Sequence, residues 1–107
     1  MPSSVASGTQ TAVVSTEHTL ATDTTGQTYV LVIDCANLAM GDTVEIRLYT
    51  KCLSGGTERL AYLRSYAHVQ GEPIKYSVPV PADQHVKATL KQTAGSARQF
   101  PWSLLRI

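Results

Sequence analysis

The stretch Thr43–Val69, TVEIRLYTKCLSGGTERLAYLRSYAHV, decides the fold. Before Ser54-Gly55-Gly56-Thr57, Val44, Ile46, Leu48 and Cys52 alternate with Glu45, Arg47, Tyr49 and Lys51, and a second alternating run follows it. A period of two is that of a half-buried strand, and two such runs about a glycine pair form a hairpin. Read as a two-residue type I′ loop, which needs positive φ at both central residues, Gly55-Gly56 sets Ser54 against Thr57. Leu48 then opposes Leu63, Ile46 opposes Ser65, and Val44 opposes Ala67. A slip of one residue would bring Arg64 beside Ile46 and turn every side chain to the other face. In the favoured register the outer face carries Tyr49 opposite Tyr62, Arg47 opposite Arg64 and Glu45 opposite Tyr66, with His68 beyond. Facing arginines repel by up to about 1 kcal/mol on a solvated sheet. Either Glu45 and solvent screen the pair on an ordinary tyrosine-rich face, or Arg47, Tyr49, Tyr62, Arg64 and Tyr66 form a partner-binding patch, these being residue types enriched at interface hot spots.

Outward from the hairpin, turn chemistry divides the chain. Tyr29–Cys35 reads as a strand, and Asn37–Asp42, with Gly41-Asp42, as a turn. Thr11–Thr16 offers a first short strand, and Glu17–Thr28 an irregular connection with at most a weak strand at Thr19–Ala21. Ile74–Val80 alternates but holds Pro79, which confines it to an edge or bulge. Val86–Lys91 alternates, Thr93-Ala94-Gly95-Ser96 turns, and Phe100–Ile107 ends the chain as a strand. Seven or eight short strands without a helical period predict an all-β antiparallel sandwich, jelly-roll or immunoglobulin-like. Residues 1–10, small and polar, read as a flexible N-terminal arm, and 11–107 as a single β-sandwich domain. Tyr29–Ile33 and the C-terminal run are apolar on both faces, so something must cover them: Glu17–Thr28, the arm, or another subunit.

The chain has 107 residues, net charge +1 and 16% charged residues, below the usual share of about 25%. One core fits that length. Its Lys and Arg are dispersed among eight acids, with no basic stripe for nucleic acid. The first residues lack a positive head and apolar run, and no apolar stretch is long enough for a bilayer, so the chain reads as cytosolic with no membrane partner. Cys35 and Cys52 read as free thiols, set at opposite ends of a ladder if their strands pair around Asn37–Asp42.

Chemistry is sparse. His18, His68 and His85 are too widely spaced for a zinc site, and no nucleophile elbow or phosphate-cradling loop is present. Asp83 and His85 follow Pro81 as turn residues. The sequence therefore predicts no enzyme, no catalytic residue, no metal and no cofactor.

The polar arm, the all-β body and the ending Leu90-Lys91-Gln92-Thr93-Ala94-Gly95 through Phe100-Pro101-Trp102-Ser103-Leu104 resemble the small virion structural proteins of tailed bacteriophages, in particular head decoration or cement proteins. The resemblance is one of general style over most of the chain. It implies a protein made in the host cytoplasm and carried on the virion, often as a homotrimer, which stabilises the head by bridging major capsid protein subunits. Pro2, Ser3, Ser4 and Val5 of the arm would then contact the capsid by strand addition to an exposed edge. Two other readings stay open: a carbohydrate- or receptor-binding module of a tail fibre, with sugars stacked on Tyr49, Tyr62 and Tyr66, and a tail or connector subunit.

Overall fold

A computed structural model describes residues 3–107, all strand and turn with no helix among them. Nine strands form: β1 (Ser3–Thr11), β2 (Glu17–Asp23), β3 (Gln27–Asp34), β4 (Thr43–Thr50), β5 (Arg59–Ala67), β6 (Ile74–Tyr76), β7 (Val80–Ala82), β8 (Val86–Ala94) and β9 (Gln99–Arg106). They build two antiparallel sheets, one ordered β1-β9-β3-β6 with β7 also on β3, the other β2-β8-β4-β5. Five of the pairings nest as one ladder, β4 with β5, β3 with β6 and β7, β2 with β8, β1 with β9, and the remaining two, β3 with β9 and β4 with β8, join its turns side by side. A long hairpin rolled up in this way is a jelly roll, which decides between the two sandwich topologies.

The core lies between the sheets. Tyr29, Leu31 and Ile33 of β3 and Phe100 and Leu104 of β9 meet Val44, Ile46 and Leu48 of β4 and Val86, Ala88 and Leu90 of β8. These are the inward positions of a two-residue period.

The hairpin that announces the fold has a different register from the one its glycines suggest. Strands β4 and β5 stop at Thr50 and Arg59, leaving residues 51–58 as the loop. Within it the N–H of Gly56 donates to Leu53 O at 2.9 Å, and Gly55, at φ +76°, is the glycine of that turn with positive φ. A wide loop does not fix pairing, so burial does. Val44 faces Tyr66, Ile46 faces Arg64 and Leu48 faces Tyr62, with a bulge before Tyr49 pairs with Leu60. The slip turns two large rings onto the core, where both pack. Arg64 can occupy the inner row because β5 is an edge strand. Its guanidinium stays exposed, 5.7 Å from the centre of the Tyr62 ring.

Other expectations change as well, among them the short strand at Thr11–Thr16, of which only Thr11 is strand and the rest is the connection between β1 and β2. Ser3, Ser4 and Val5 are no free arm but the start of β1, hydrogen-bonded along β9 from Ser3↔Arg106 to Thr11↔Gln99; Pro2 lies outside the described residues. Backbone pairing gives this small, polar segment the stability that its side chains lack. Glu17–Thr28 contains the full strand β2 and part of β3, and β2 lies in the facing sheet, so it does not cover the outer face of β3. Ile74–Val80 is two strands: at the break, Ser77 Oγ accepts from Leu31 N at 2.9 Å and donates to Val78 O at 3.0 Å. Cys35 is buried and Cys52 exposed, both free. Asn37–Asp42 carries the chain from one sheet to the other, not round a hairpin within one sheet.

Asp42 ties that crossing to the β8–β9 turn. Its buried carboxylate accepts from Ala39 N (2.9 Å), Ser96 N (3.0 Å) and Arg98 Nε (2.7 Å). Gly95, at φ +91°, passes so close that a Cβ there would lie 1.9 Å from Asp42 Oδ1. Gln92, also buried, holds the same turn by donating to Ala94 O and Ser96 O and accepting from Arg98 N.

Candidate interaction surfaces

The one-residue slip divides the expected patch. Arg47 and Tyr49 stand on the outer face of the β2-β8-β4-β5 sheet, whereas Tyr62, Arg64 and Tyr66 belong to its inner row at the β5 edge. The tyrosines therefore offer no continuous platform for a sugar ring.

On the outer face charges are matched within the chain. Arg47 binds Glu17 at 2.9 Å and Glu45 at 2.8 Å, and the Tyr49 hydroxyl donates to Glu17 at 2.7 Å. Lys87 binds Glu58 at 3.0 Å, lies 4.6 Å from the centre of the Tyr49 ring, and shares Glu58 with His85. Burial disfavours the Glu17 anion, but the Tyr49 hydroxyl and the Arg47 charge outweigh it and hold the carboxyl below its ordinary value. The His85 hydrogen bond, with Lys87 adding, does the same to Glu58. A face so internally paired has little left to offer a charged ligand.

At the β5 edge, Lys75 from β6 lies 5.4 Å from the centre of the Tyr66 ring, and burial raises that phenol's pKa. Beside the residue 51–58 loop a cleft of about 410 Å³ opens, lined by Cys52, Leu53, Thr57, Leu60 and Ala61 among others.

The outer face of the other sheet is different in kind. Val30 is paired with Leu105, Val32 with both Ser103 and Tyr76, and Asp34 with Ile74. Ile74 and Tyr76 are exposed, and a hollow of about 260 Å³ lies among Val32, Ile74, Pro101 and Ser103. The two-sided strands thus keep an apolar outer face that no strand of the second sheet covers.

Four edges bound the two sheets among the described residues, and those of β2 and β6–β7 are the most strongly guarded against further pairing. β2 has Glu17, Asp23 and a bulge at Leu20, and the β6–β7 edge is interrupted at Pro79 with Pro81 beyond; β5 has Arg59 and Arg64 but also the exposed Leu60 and Leu63. β1 has a bulge at Val5 but neither charge nor proline from Ser3 to Thr11. Opposite Trp102 it has Gly8, where an added Cβ would lie 3.6 Å from the indole.

The histidines are structural neighbours. His18 Nε2 accepts from Val13 N at 3.0 Å, His68 Nδ1 accepts from Gly41 N at 3.0 Å, and His85 holds Glu58. Among the described residues no three His, Cys, Asp or Glu gather as a metal site requires. The Asp42–Gly95–Arg98 junction escaped the sequence reading because both parts look like turns; an acid beside a turn glycine gives no sign of being buried.

No protein-family model, curated protein or solved structure matches the chain. The fold and surfaces define an antiparallel β-sandwich whose unsatisfied features are an apolar sheet face and open strand edges.

Proposed function

We propose that this chain is a non-enzymatic structural protein of a tailed-bacteriophage virion, a decoration or cement protein that binds the major capsid protein. The observation that carries the reading is β1: nine residues of uncharged, proline-free strand with one side unpaired. Such an edge accepts a further strand through main-chain hydrogen bonds that ask little of side-chain identity. Across the same sheet, beyond β9, the apolar outer face around Val32, Ile74 and Tyr76 supplies area for a broad contact with a capsid surface. Residues 3–10 take part as a receiving edge, not as an arm that reaches out.

The test is cosedimentation with phage heads stripped of accessory proteins. Deleting residues 1–10 would remove a strand of the fold, so the informative variant is Ser7→Lys with Thr9→Lys, two exposed positions where added charge guards the edge. The unaltered protein is expected to sediment with heads and the double variant to stay in solution with an unchanged circular-dichroism spectrum. Failure of the unaltered protein to bind rejects the capsid assignment; equal binding of the variant rejects the role of β1.

A further inference from the structure

Leu53, Leu60, Leu63 and Val69 are 71%, 48%, 45% and 72% exposed, and all four belong to β5 or to the segments at its ends. Single exposed apolar residues are ordinary, but a cluster along one open sheet edge marks a contact. We propose that β5 pairs antiparallel with β5 of a second copy about a twofold axis at Leu63, joining the two four-stranded sheets into one. This inference is independent of the capsid reading. β5 and β6 form one flank of the sandwich, where Lys75 covers Tyr66, and β1 and β2 form the other.

Self-complementarity points to a second copy. Centred on Leu63, the middle of β5 from Ala61 to Ser65 pairs with itself, the bulge at Ala61 bounding the regular register. Leu63 meets the partner's Leu63 on the outer face. Tyr62 meets the partner's Arg64 on the inner row, and Arg64 meets the partner's Tyr62, so the cation–π contact already made within one strand is made again across the axis. Registers that keep inner residues opposite inner residues differ in steps of two. Centring on Arg64 would set two guanidiniums face to face, which is repulsive. Centring on Leu63 avoids that and covers the exposed Leu63 at the axis.

The apolar cleft gives a second, independent match. It opens at the Arg59 end of β5, lined by Leu53 and Leu60. Antiparallel pairing carries the far end of the partner strand, and with it the partner's Val69, towards that cleft. Symmetry makes the contact twice, and an isologous interface of this kind closes at two copies instead of growing. That differs from the trimer that the phage resemblance implies.

Because Leu63 faces itself at the axis, charge swapping tests the geometry directly. Light scattering across the micromolar range should give the unaltered protein twice the 11.5 kDa chain mass. Leu63→Lys and Leu63→Glu should each run as single chains with unchanged circular dichroism, since this side chain is half exposed on the outer face. Mixed in equal amounts they should recover the doubled mass, with native mass spectrometry showing one chain of each kind. Val69→Asp, outside the strand, should weaken dimerisation by about tenfold. A single-chain or three-chain mass for the unaltered protein overturns the proposal, as does a mixture that stays monomeric or a Leu63→Lys protein that still dimerises. Unchanged affinity in Val69→Asp overturns the cleft contact.

Discussion

Replacing Asp42 by asparagine keeps the shape of a buried side chain and removes its charge. In the native protein three donors converge on the carboxylate, from Ala39 N, Ser96 N and Arg98 Nε. An asparagine can keep its oxygen toward Ala39 N and Arg98 Nε, but both bonds lose the carboxylate charge and its NH₂ then points at Ser96 N, placing donor against donor. A hydrogen bond to a charged group contributes about 1.5–3 kcal/mol, and Arg98, about a third exposed, recovers part of its loss in water. The net cost is about 3 kcal/mol, a fall in midpoint of about 12 °C for a domain of this size. The pH dependence supplies the discriminating result. The Ala39 N–H holds the Asp42 carboxyl below its ordinary value of 3.8, against burial and with help from Arg98 and Ser96. A depressed folded-state pKa gives stability that is complete above the unfolded-state value and is lost as pH falls through the folded one. The gap between native protein and Asp42→Asn should therefore be full at pH 7 and narrow below about pH 4. Urea melts followed by far-ultraviolet circular dichroism at both pH values measure it. A gap under about 0.5 kcal/mol at neutral pH, the range of ordinary surface changes, refutes the junction's role; an equal gap in acid refutes the assignment to charge.

Gly95→Ala should destabilise the same junction by about 2 kcal/mol or more, since it combines a strained φ with a Cβ placed against Asp42; thermal melts read it, and a near-native midpoint speaks against the close approach. The register of β5 predicts opposite outcomes for neighbours: at concentrations where the protein is monomeric, Tyr62→Ala should cost about 1.5–2 kcal/mol and Leu63→Ala about 0.5 kcal/mol or less in chemical denaturation, and the reverse order would restore the two-glycine register. Ser77→Ala leaves the buried Leu31 N–H without its acceptor and should cost about 1–3 kcal/mol, with Ser77→Thr the milder change. Burial raises the Cys35 thiol to about 11, so at pH 8 a thiol reagent should modify Cys52 promptly and Cys35 only on unfolding; two fast equivalents in the native protein contradict the burial.

How much of this was legible follows from what each element rests on. β3, β4, β8 and β9 bury alternate or continuous apolar residues, and their sequences show it. β1 is held by backbone bonds to β9, and a run of Ser, Ala, Gly, Thr and Gln gives no periodic sign of that. The hairpin was visible but its register was not, because the choice rested on treating Gly55-Gly56 as a tight turn, whereas Gly55 serves a turn inside a wider loop. The candidate patch inherited that one-residue step: Arg47 and Tyr49 stayed on the outer face, while Tyr62, Arg64 and Tyr66 moved to the other. Buried polar hubs such as Asp42 are set by segments far apart in sequence, which local pattern does not register.

The nested ladder also sets a kinetic order. β4 and β5 meet across one short loop, but Ser3 reaches Arg106 only after nearly the whole chain has been gathered. Closure entropy and non-local topology make such a roll a slow folder that zips outward from its tip, with β1 docking last. Lesions in β1 should then speed unfolding and leave the folding rate almost untouched, while lesions in β4 slow folding. The strand committed last is also the one with the lowest cost of local opening, so the edge proposed to meet the capsid is the part of the sandwich most able to adjust to it.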